Sequence, residues 1–304
     1  MAKALHLVTG ASGHIGGVIA KALLDAGERV RVVGRDAAKL KGFGDRGAEI
    51  VTGSLDDIAV TKMAYAGAGT AFVMVPPNYA HPDQRAHARA VIDGALAALP
   101  GSGVTHVVAL SSIGAHLRTG TGPIAGLHEL EARLSGLPIA VLNLRPAYFF
   151  ENHFAALGTI PGMGIYGGAV RADLPLNMIA TADIGAVAAK RLAARDFTGN
   201  DVLELHGPAA YTMAEAAATL GAAIGKPGLP YVQFPIEGAR QAMLGMGMSA
   251  DGAGRLLEMI TAFNDGTIQP TQPRSPATTT PTTLAQWAGR DFAAAFGAGA
   301  KKAH

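Results

Sequence analysis

Along the chain, short apolar runs alternate with stretches of helical periodicity. Ala4–Thr9 is a brief apolar run that reads as a buried strand. A glycine-rich turn follows it, then a 3.6-residue pattern from Ile15 to Ala26 closed by Gly27. Arg29–Val33 and Glu49–Thr52 read as second and third strands. Ser54–Asp57 reads as a helix start, with carboxylates where the helix dipole favours them. Thr70–Val75 is a fourth strand stopped by Pro76-Pro77, and Ala86–Leu99 is a helix. Val104–Leu110 is a fifth strand, Leu127–Leu134 a helix and Ile139–Leu144 a sixth strand. Strands joined by helix-length connections need crossovers, so the pattern predicts an α/β fold: a doubly wound parallel sheet with helices on both faces.

Beyond Pro146 the alternation decays. Gly158–Gly168 is glycine-rich, Ala182–Leu192 is an apolar helix and Val202–Leu205 a short strand. Thr212-x-x-Glu215 is a capping box that opens a helix ending near Gly225. Ile236–Thr267 reads as one methionine-rich helix, and Pro270–Thr283 as a low-complexity loop. Thr283-x-x-Gln286 caps a last helix through Phe296, with Gly297–His304 as a frayed tail. The expected organisation is a nucleotide-binding unit over 1–150, to which 176–206 returns. A smaller mixed C-terminal lobe over 151–304 is interwoven with it.

Composition removes several classes. Hydrophobic residues make up 49% and charged ones 16%, which excludes a disordered chain. Lys plus Arg number 25 against 23 Asp plus Glu, so the net charge of +2 gives no footprint for nucleic acid. Gly94–His116, the longest uncharged stretch, is interrupted by Pro100, Gly101 and Gly103 and is no membrane span. With no cysteine there are no disulfides, thiolate metal sites or thiol nucleophiles. Met1–Leu7 runs straight into the first strand without a leader-like apolar segment, so the expected location is the cytoplasm.

The chemistry begins at Thr9-Gly10-Ala11-Ser12-Gly13-His14-Ile15-Gly16, a G-x-x-G-x-x-G run between the first strand and the first helix. Gly10 permits a sharp turn, Gly13 the approach of a pyrophosphate, and Gly16 close packing of helix on strand. The helix start then offers free N–H groups to phosphates. That makes the sheet Rossmann-type. At the end of the second strand Arg35 stands where an NAD site usually keeps a carboxylate, with Asp36 one position late and Lys39 and Lys41 nearby. A guanidinium there can clamp a 2′-phosphate, so NADP(H) is preferred over NAD(H). Val75 and Pro76 end the fourth strand. Ser111 and Ser112 end the fifth, where they can hold a substrate carbonyl or the cofactor amide, or cap the next segment. None of the six tyrosines has a lysine four residues later, so the Tyr–Lys proton-transfer pair of short-chain dehydrogenases is missing. His128-Glu129 has Ala132 where a zinc protease needs its second histidine, and no metal site is expected.

With these residues the chain resembles the NmrA-like branch of the atypical short-chain dehydrogenases, relatives of quinone and triphenylmethane-dye reductases. The resemblance spans most of the chain. It rests on TGASGHIGG, GRDAAKL, VPP, LSSIGA, His128-Glu129, LRPAYFFEN (Leu144–Asn152), ATADIGAVAA (Ala180–Ala189) and TTTPTTLAQWA. It implies that Gly10, Ala11, Ser12, Gly13, His14, Ile15, Gly16 and Arg35 bind the cofactor phosphates and ribose. Val75 and Pro76 would line the path from adenine to nicotinamide, and Ser111 and Pro146 to Tyr148 would surround the nicotinamide. His128 occupies the lysine position and Ile124 the tyrosine position. Relatives often have Gly-Asp after the third strand, whereas here Gly53-Ser54 leaves Ser54 for the adenine.

The missing pair bears on the acceptor. An ordinary ketone develops an alkoxide that needs a strong proton donor, whereas a quinone-like acceptor delocalises its charge. The expected activity is therefore NADPH-dependent hydride transfer to a quinone-like or other conjugated small molecule. Tyr148, Phe149, Phe150 and Ser112 would form the acceptor wall, with Met243 and Met246 on an adaptable lid. Core packing is the alternative for each aromatic and methionine. His128 is the candidate proton source or nicotinamide anchor, or else a structural histidine bonding a carbonyl; Tyr148 is the other catalytic candidate. The alternative function is a non-catalytic NAD(P)-binding redox sensor that regulates partner proteins. A homodimer is left open.

Overall fold

The computed structural model describes residues 3–302. Its first half runs β1 (Leu5–Thr9), α1 (His14–Asp25), β2 (Arg29–Gly34), α2 (Ala37–Gly44), β3 (Glu49–Thr52), α3 (Ile58–Tyr65) and β4 (Thr70–Val73). It continues through α4 (Gln84–Ala98), β5 (His106–Leu110), α5 (Ile124–Leu134) and β6 (Ala140–Pro146). Then come β7 (Tyr148–Phe149), a 3-10 helix (Phe150–Gly158), α6 (Ile160–Met163), β8 (Tyr166–Gly168), β9 (Leu176–Ile179), α7 (Thr181–Ala194) and β10 (Asn200–Leu205). The last elements are β11 (Ala210–Tyr211), α8 (Met213–Ala223), β12 (Tyr231–Gln233), α9 (Ile236–Gly245), α10 (Ala250–Asn264), α11 (Leu284–Trp287), a π-helical turn (Ala288–Phe292) and α12 (Ala293–Lys302).

Seven strands form one parallel sheet in the order β10-β6-β5-β4-β1-β2-β3. Strand periodicity divides its side chains between two cores. Val8, Val32, Phe72, Val108 and Leu142 pack with Ile19 of α1 and Ile184 of α7. Their neighbours Leu7, Val33, Val73, Val107 and Val141 pack on the other face with Tyr65 of α3, Ile92 of α4 and Leu130 of α5. This is the doubly wound α/β sheet expected from the alternation. The smaller lobe is mixed: β9 pairs parallel with β7 and antiparallel with β11, and β8 pairs with β12. The chain winds outward from β1 in both directions, so a crevice opens between the carboxyl ends of β1 and β4, where ligands bind in such sheets.

Both capping boxes are present, Thr212 with Glu215 and Thr283 with Gln286. Three expected elements differ. The single helix over Ile236–Thr267 is two: α9 ends before Gly247, whose φ of 87° no helix accommodates, and Ser249 then caps α10 by accepting from Gly252 N–H at 2.9 Å. α3 starts later than expected, because the Asp57 carboxylate serves as its N-cap, 2.8 Å from Ala59 N, and lies outside the first turn. The tail is also more regular than expected: the last helix runs past Phe296 to Lys302 through the π-helical turn. Residues 303–304 of that tail lie outside the described residues.

Candidate active site

The glycine-rich loop leaves β1 and turns at Gly10, whose φ of 65° is left-handed. A Cβ there would press on the Met74 sulfur, and one at Gly16 would press on the backbone of Gly10 and Thr9. The loop closes with Gly13 N–H donating to Gly10 O at 2.9 Å, and α1 begins with no side chain capping it at Gly13. The first-turn N–H groups of His14, Ile15 and Gly16 thus point out of the helix without intrahelical acceptors. A tight loop with glycine at Gly10 and Gly13, above an uncapped 12-residue helix, fits a dinucleotide pyrophosphate.

These residues open onto a cavity of about 580 Å³ at the carboxyl ends of the strands. Gly10, Gly13, His14, Ile15 and Gly16 line it from β1. Met74, Val75 and Pro76 line it just past β4, Ser111 and Ser112 just past β5, and Ala147, Tyr148 and Phe149 from the β6–β7 junction. The wall beside α5 is apolar, because Ile124 lies on it. α10 crosses over the cavity with Arg255, Met259 and Phe263, which share one helix face at i, i+4 and i+8.

Other expected site residues lie elsewhere. Ala11 and Ser12 border a neighbouring hollow that is also lined by Lys21, Lys39 and Arg46. Arg35 is exposed beyond the end of β2 and lines neither recess. Asp36 beside it caps α2, its carboxylate accepting from Ala38 N–H at 2.9 Å. Ser54 is half-buried off the cavity, next to Gly53, whose N–H donates to Gly34 O at 3.0 Å. Pro146 is buried behind the wall, where its carbonyl accepts from Ile113 N–H at 3.2 Å.

Four more of the expected residues are placed away from the cavity wall. Phe150 is fully buried in the core, its ring 5.8 Å from that of Trp287, because the 3-10 helix turns it away from Phe149. Met243 packs on Ala169, Ala239 and Leu257 in a small separate cluster, and Met246 is 71% exposed past the end of α9. The break at Gly247 is the cause: α9 lies outside, and Met259 of α10 is the methionine that reaches the cavity from this segment. His128 also misses the cavity wall. Its Nδ1 lies 2.8 Å from Ala115 O, the carbonyl-bonding arrangement.

Ser111 is held from behind. Its hydroxyl donates to a carboxylate oxygen of buried Glu131, which in turn forms a two-point pair with buried Arg145. With its proton so committed, the Ser111 oxygen offers the cavity an acceptor. Glu151 lines the wall on the α7 side, accepting from Thr181 N–H at 3.1 Å and Trp287 Nε1–H at 3.1 Å. Burial pushes the Tyr148 phenol up to about 12 and raises the Tyr79 phenol, so both line the cavity as neutral hydroxyls at neutral pH. Behind them His153 is sealed in, with Nδ1 2.8 Å from the Tyr166 hydroxyl, and burial lowers its pKa to about 3. Tyr79, Arg85, His87, Glu151, Asn152 and Arg255 line the cavity without having been expected there. Glu151 and Asn152 end the LRPAYFFEN motif, and Arg255 shares an i, i+4, i+8 spacing with Met259 and Phe263; Tyr79, Arg85 and His87 carry no such signal.

The NmrA-like family model matches residues 2–288. The chain is 31% identical over 260 residues to an NAD(P)H azoreductase of Xenophilus azovorans, covering 83% of this chain and 85% of that protein. Its fold is similar to that of an NADPH-dependent quinone oxidoreductase from Escherichia coli solved with NADPH. The TM-score is 0.77 and the identity 24%, over 95% of this chain and 99% of that one. The Citrobacter sp. triphenylmethane reductase complexed with NADP(H) is similar at a TM-score of 0.74 and 20% identity, over 94% of this chain and 99% of that one.

Proposed function

The chain belongs to the NmrA-like family, and from that membership we propose that it is an NADPH-dependent reductase transferring hydride to a quinone-like or other conjugated small molecule. The observation that carries this reading is that the glycine-rich loop and an apolar recess share one cavity. A protein that only sensed nucleotide would have no use for the recess between Ile124, Phe149, Met259 and Phe263. The relatives support it by name: an azoreductase, a quinone oxidoreductase and a dye reductase are all reductases of conjugated molecules.

Bound NADPH supplies the hydride. The chain's part is to bind and orient. The uncapped start of α1 takes the pyrophosphate. Arg35, free of Asp36 because that carboxylate caps α2, takes the 2′-phosphate and sets the preference for NADPH over NADH. The Ser111 oxygen, its proton committed to Glu131, would accept a hydrogen bond from the nicotinamide amide. Phe149, Met259 and the buried Phe263 hold a flat acceptor against an apolar surface.

Neither expected proton donor faces the acceptor: the cavity wall carries Ile124, at the position the resemblance assigns to a tyrosine, and His128 Nδ1 lies 2.8 Å from Ala115 O. The neutral hydroxyls of Ser112, Tyr79 and Tyr148 donate hydrogen bonds at most. That suits acceptors whose charge delocalises, with proximity supplying much of the rate. Consumption of NADPH by the purified protein across a panel of quinones and conjugated dyes, with NADH as control, tests the reading. Turnover on any acceptor supports it. NADPH binding without turnover on any of them supports the sensor instead.

A further inference from the structure

One end of the cavity is built differently from the rest. Where α4 and α10 meet, Arg85 and Arg255 line it, and they are the arginines on its wall. Their side chains are 27% and 29% exposed, so neither is a freely solvated surface charge. The carboxylates that accompany them do not line the cavity. Asp251 accepts from Gln84 N–H at 2.8 Å and from Arg255 Nε at 3.2 Å. Glu129 lies 3.5 Å from Arg85 Nη2 and is shared with Arg89 at 3.3 Å.

Each guanidinium therefore spends one nitrogen on a carboxylate behind it. Among the described residues its other nitrogens have no protein acceptor. The frame around the two arginines is tied together. Ser249 N–H donates to Tyr79 O at 2.9 Å, and the Ser249 hydroxyl donates to His81 O at 2.7 Å. Gln84 Nε2 donates to Asn78 O at 2.6 Å. Glu151, the carboxylate on the wall, is engaged on the α7 side by Thr181 and Trp287.

Half-buried guanidinium donors without acceptors, at the rim of an apolar recess, fit an oxyanion carried by the molecule that fills it. We infer that the acceptor of this protein is anionic: a conjugated ring bearing a sulfonate, carboxylate or phosphate, which Arg85 and Arg255 clamp while the ring lies against Phe149 and Phe263. The inference rests on the reductase reading and deepens it, by naming the substrate class and two specificity-determining residues.

The test compares naphthoquinone with naphthoquinone sulfonate as acceptors for the full chain at saturating NADPH. The readout is the ratio of their kcat/KM values, in the wild type and in Arg85→Met, Arg255→Met and Arg255→Lys. The wild type is expected to favour the sulfonate. Each methionine variant should lower the sulfonate-to-parent ratio by about tenfold to a hundredfold, the worth of charge-assisted hydrogen bonds. Arg255→Lys should restore part of it. Comparing the ratio between each variant and the wild type cancels the intrinsic difference in reactivity between the two quinones, and NADPH fluorescence shows that each variant is folded. A ratio that the methionine variants leave unchanged overturns the anionic-acceptor inference while leaving the reductase standing. Reduction of neither quinone, by protein that binds NADPH, overturns the reductase reading and this inference with it.

Discussion

Glu131 of α5 and Arg145 of β6 are joined at two points inside the protein, with Arg145 Nε 2.9 Å from Oε1 and Nη2 2.5 Å from Oε2. The pair sits directly behind Ser111, whose hydroxyl it fixes. Its carboxylate, together with burial-opposed attraction, holds Arg145 above the ordinary arginine range. Removing one member strands the other charge in the core, which costs about 3–5 kcal/mol, whereas replacing both by apolar residues costs less. Denaturant unfolding should therefore show Glu131→Leu to be less stable than the double variant Glu131→Leu/Arg145→Met. Equal losses would mean that the pair is not coupled.

Gly16 has no room for a side chain, because a Cβ would meet the Gly10 and Thr9 backbone. Gly16→Ala must push α1 off β1, at a cost of about 1–3 kcal/mol. It should also weaken NADPH binding at least about tenfold by displacing the helix start. Fluorescence titration of NADPH alongside thermal unfolding measures both. A variant that binds normally would show that the loop does not hold the pyrophosphate.

On the proposed reading Arg35 sets the nucleotide preference, whereas Asp36 caps α2. Arg35→Ala removes the donor proposed for the 2′-phosphate and should raise the KM for NADPH about tenfold to a hundredfold, with far less effect on NADH. Equal losses for both would contradict the assignment. Asp36→Ala should instead act on stability, by about 0.5–2 kcal/mol, through the lost cap of α2.

The sheet was legible because its physics is local. Leu7 and Val8, or Val32 and Val33, point to opposite cores because adjacent strand residues must, and Thr212 and Thr283 cap helices with partners three residues away. The glycine run could be read for the same reason. The acceptor end could not. Phe149 and Phe150 are neighbours in sequence, yet one lines the cavity and the other fills the core, a choice made by the 3-10 helix that follows. Arg85 and Arg255 are far apart in the chain and meet only because α10 folds back over α4 after Gly247 breaks the helical run. Met243 and Met246 look like lid residues by composition, and the same break leaves them outside.

Histidine 153 links the core beneath the cavity to pH. Burial depresses its pKa from 6.5 to about 3, so the folded protein keeps it neutral where the unfolded chain would take up a proton. Its contribution is complete above about pH 6.5 and is lost as the pH falls from there toward 3, by up to about 1.4 kcal/mol per pH unit. Burial lowers His6 and His206 in the same direction, so the measurement is a difference between proteins. The thermal midpoint of His153→Gln should fall less steeply on acidification than that of the wild type. Parallel curves would mean that His153 is accessible to protons in the folded state.

Hydride transfer itself is tested most directly by a single turnover with NADPH whose transferable hydrogen is replaced by deuterium, mixed with a reducible quinone and followed by cofactor absorbance. The expected result is oxidation of NADPH that slows when one of the two prochiral positions carries deuterium and not the other, because a nicotinamide held in the cavity at β1 and β4 would offer the acceptor a single face. Protein that binds NADPH yet oxidises none of it, with any quinone or dye offered, would contradict the reductase assignment.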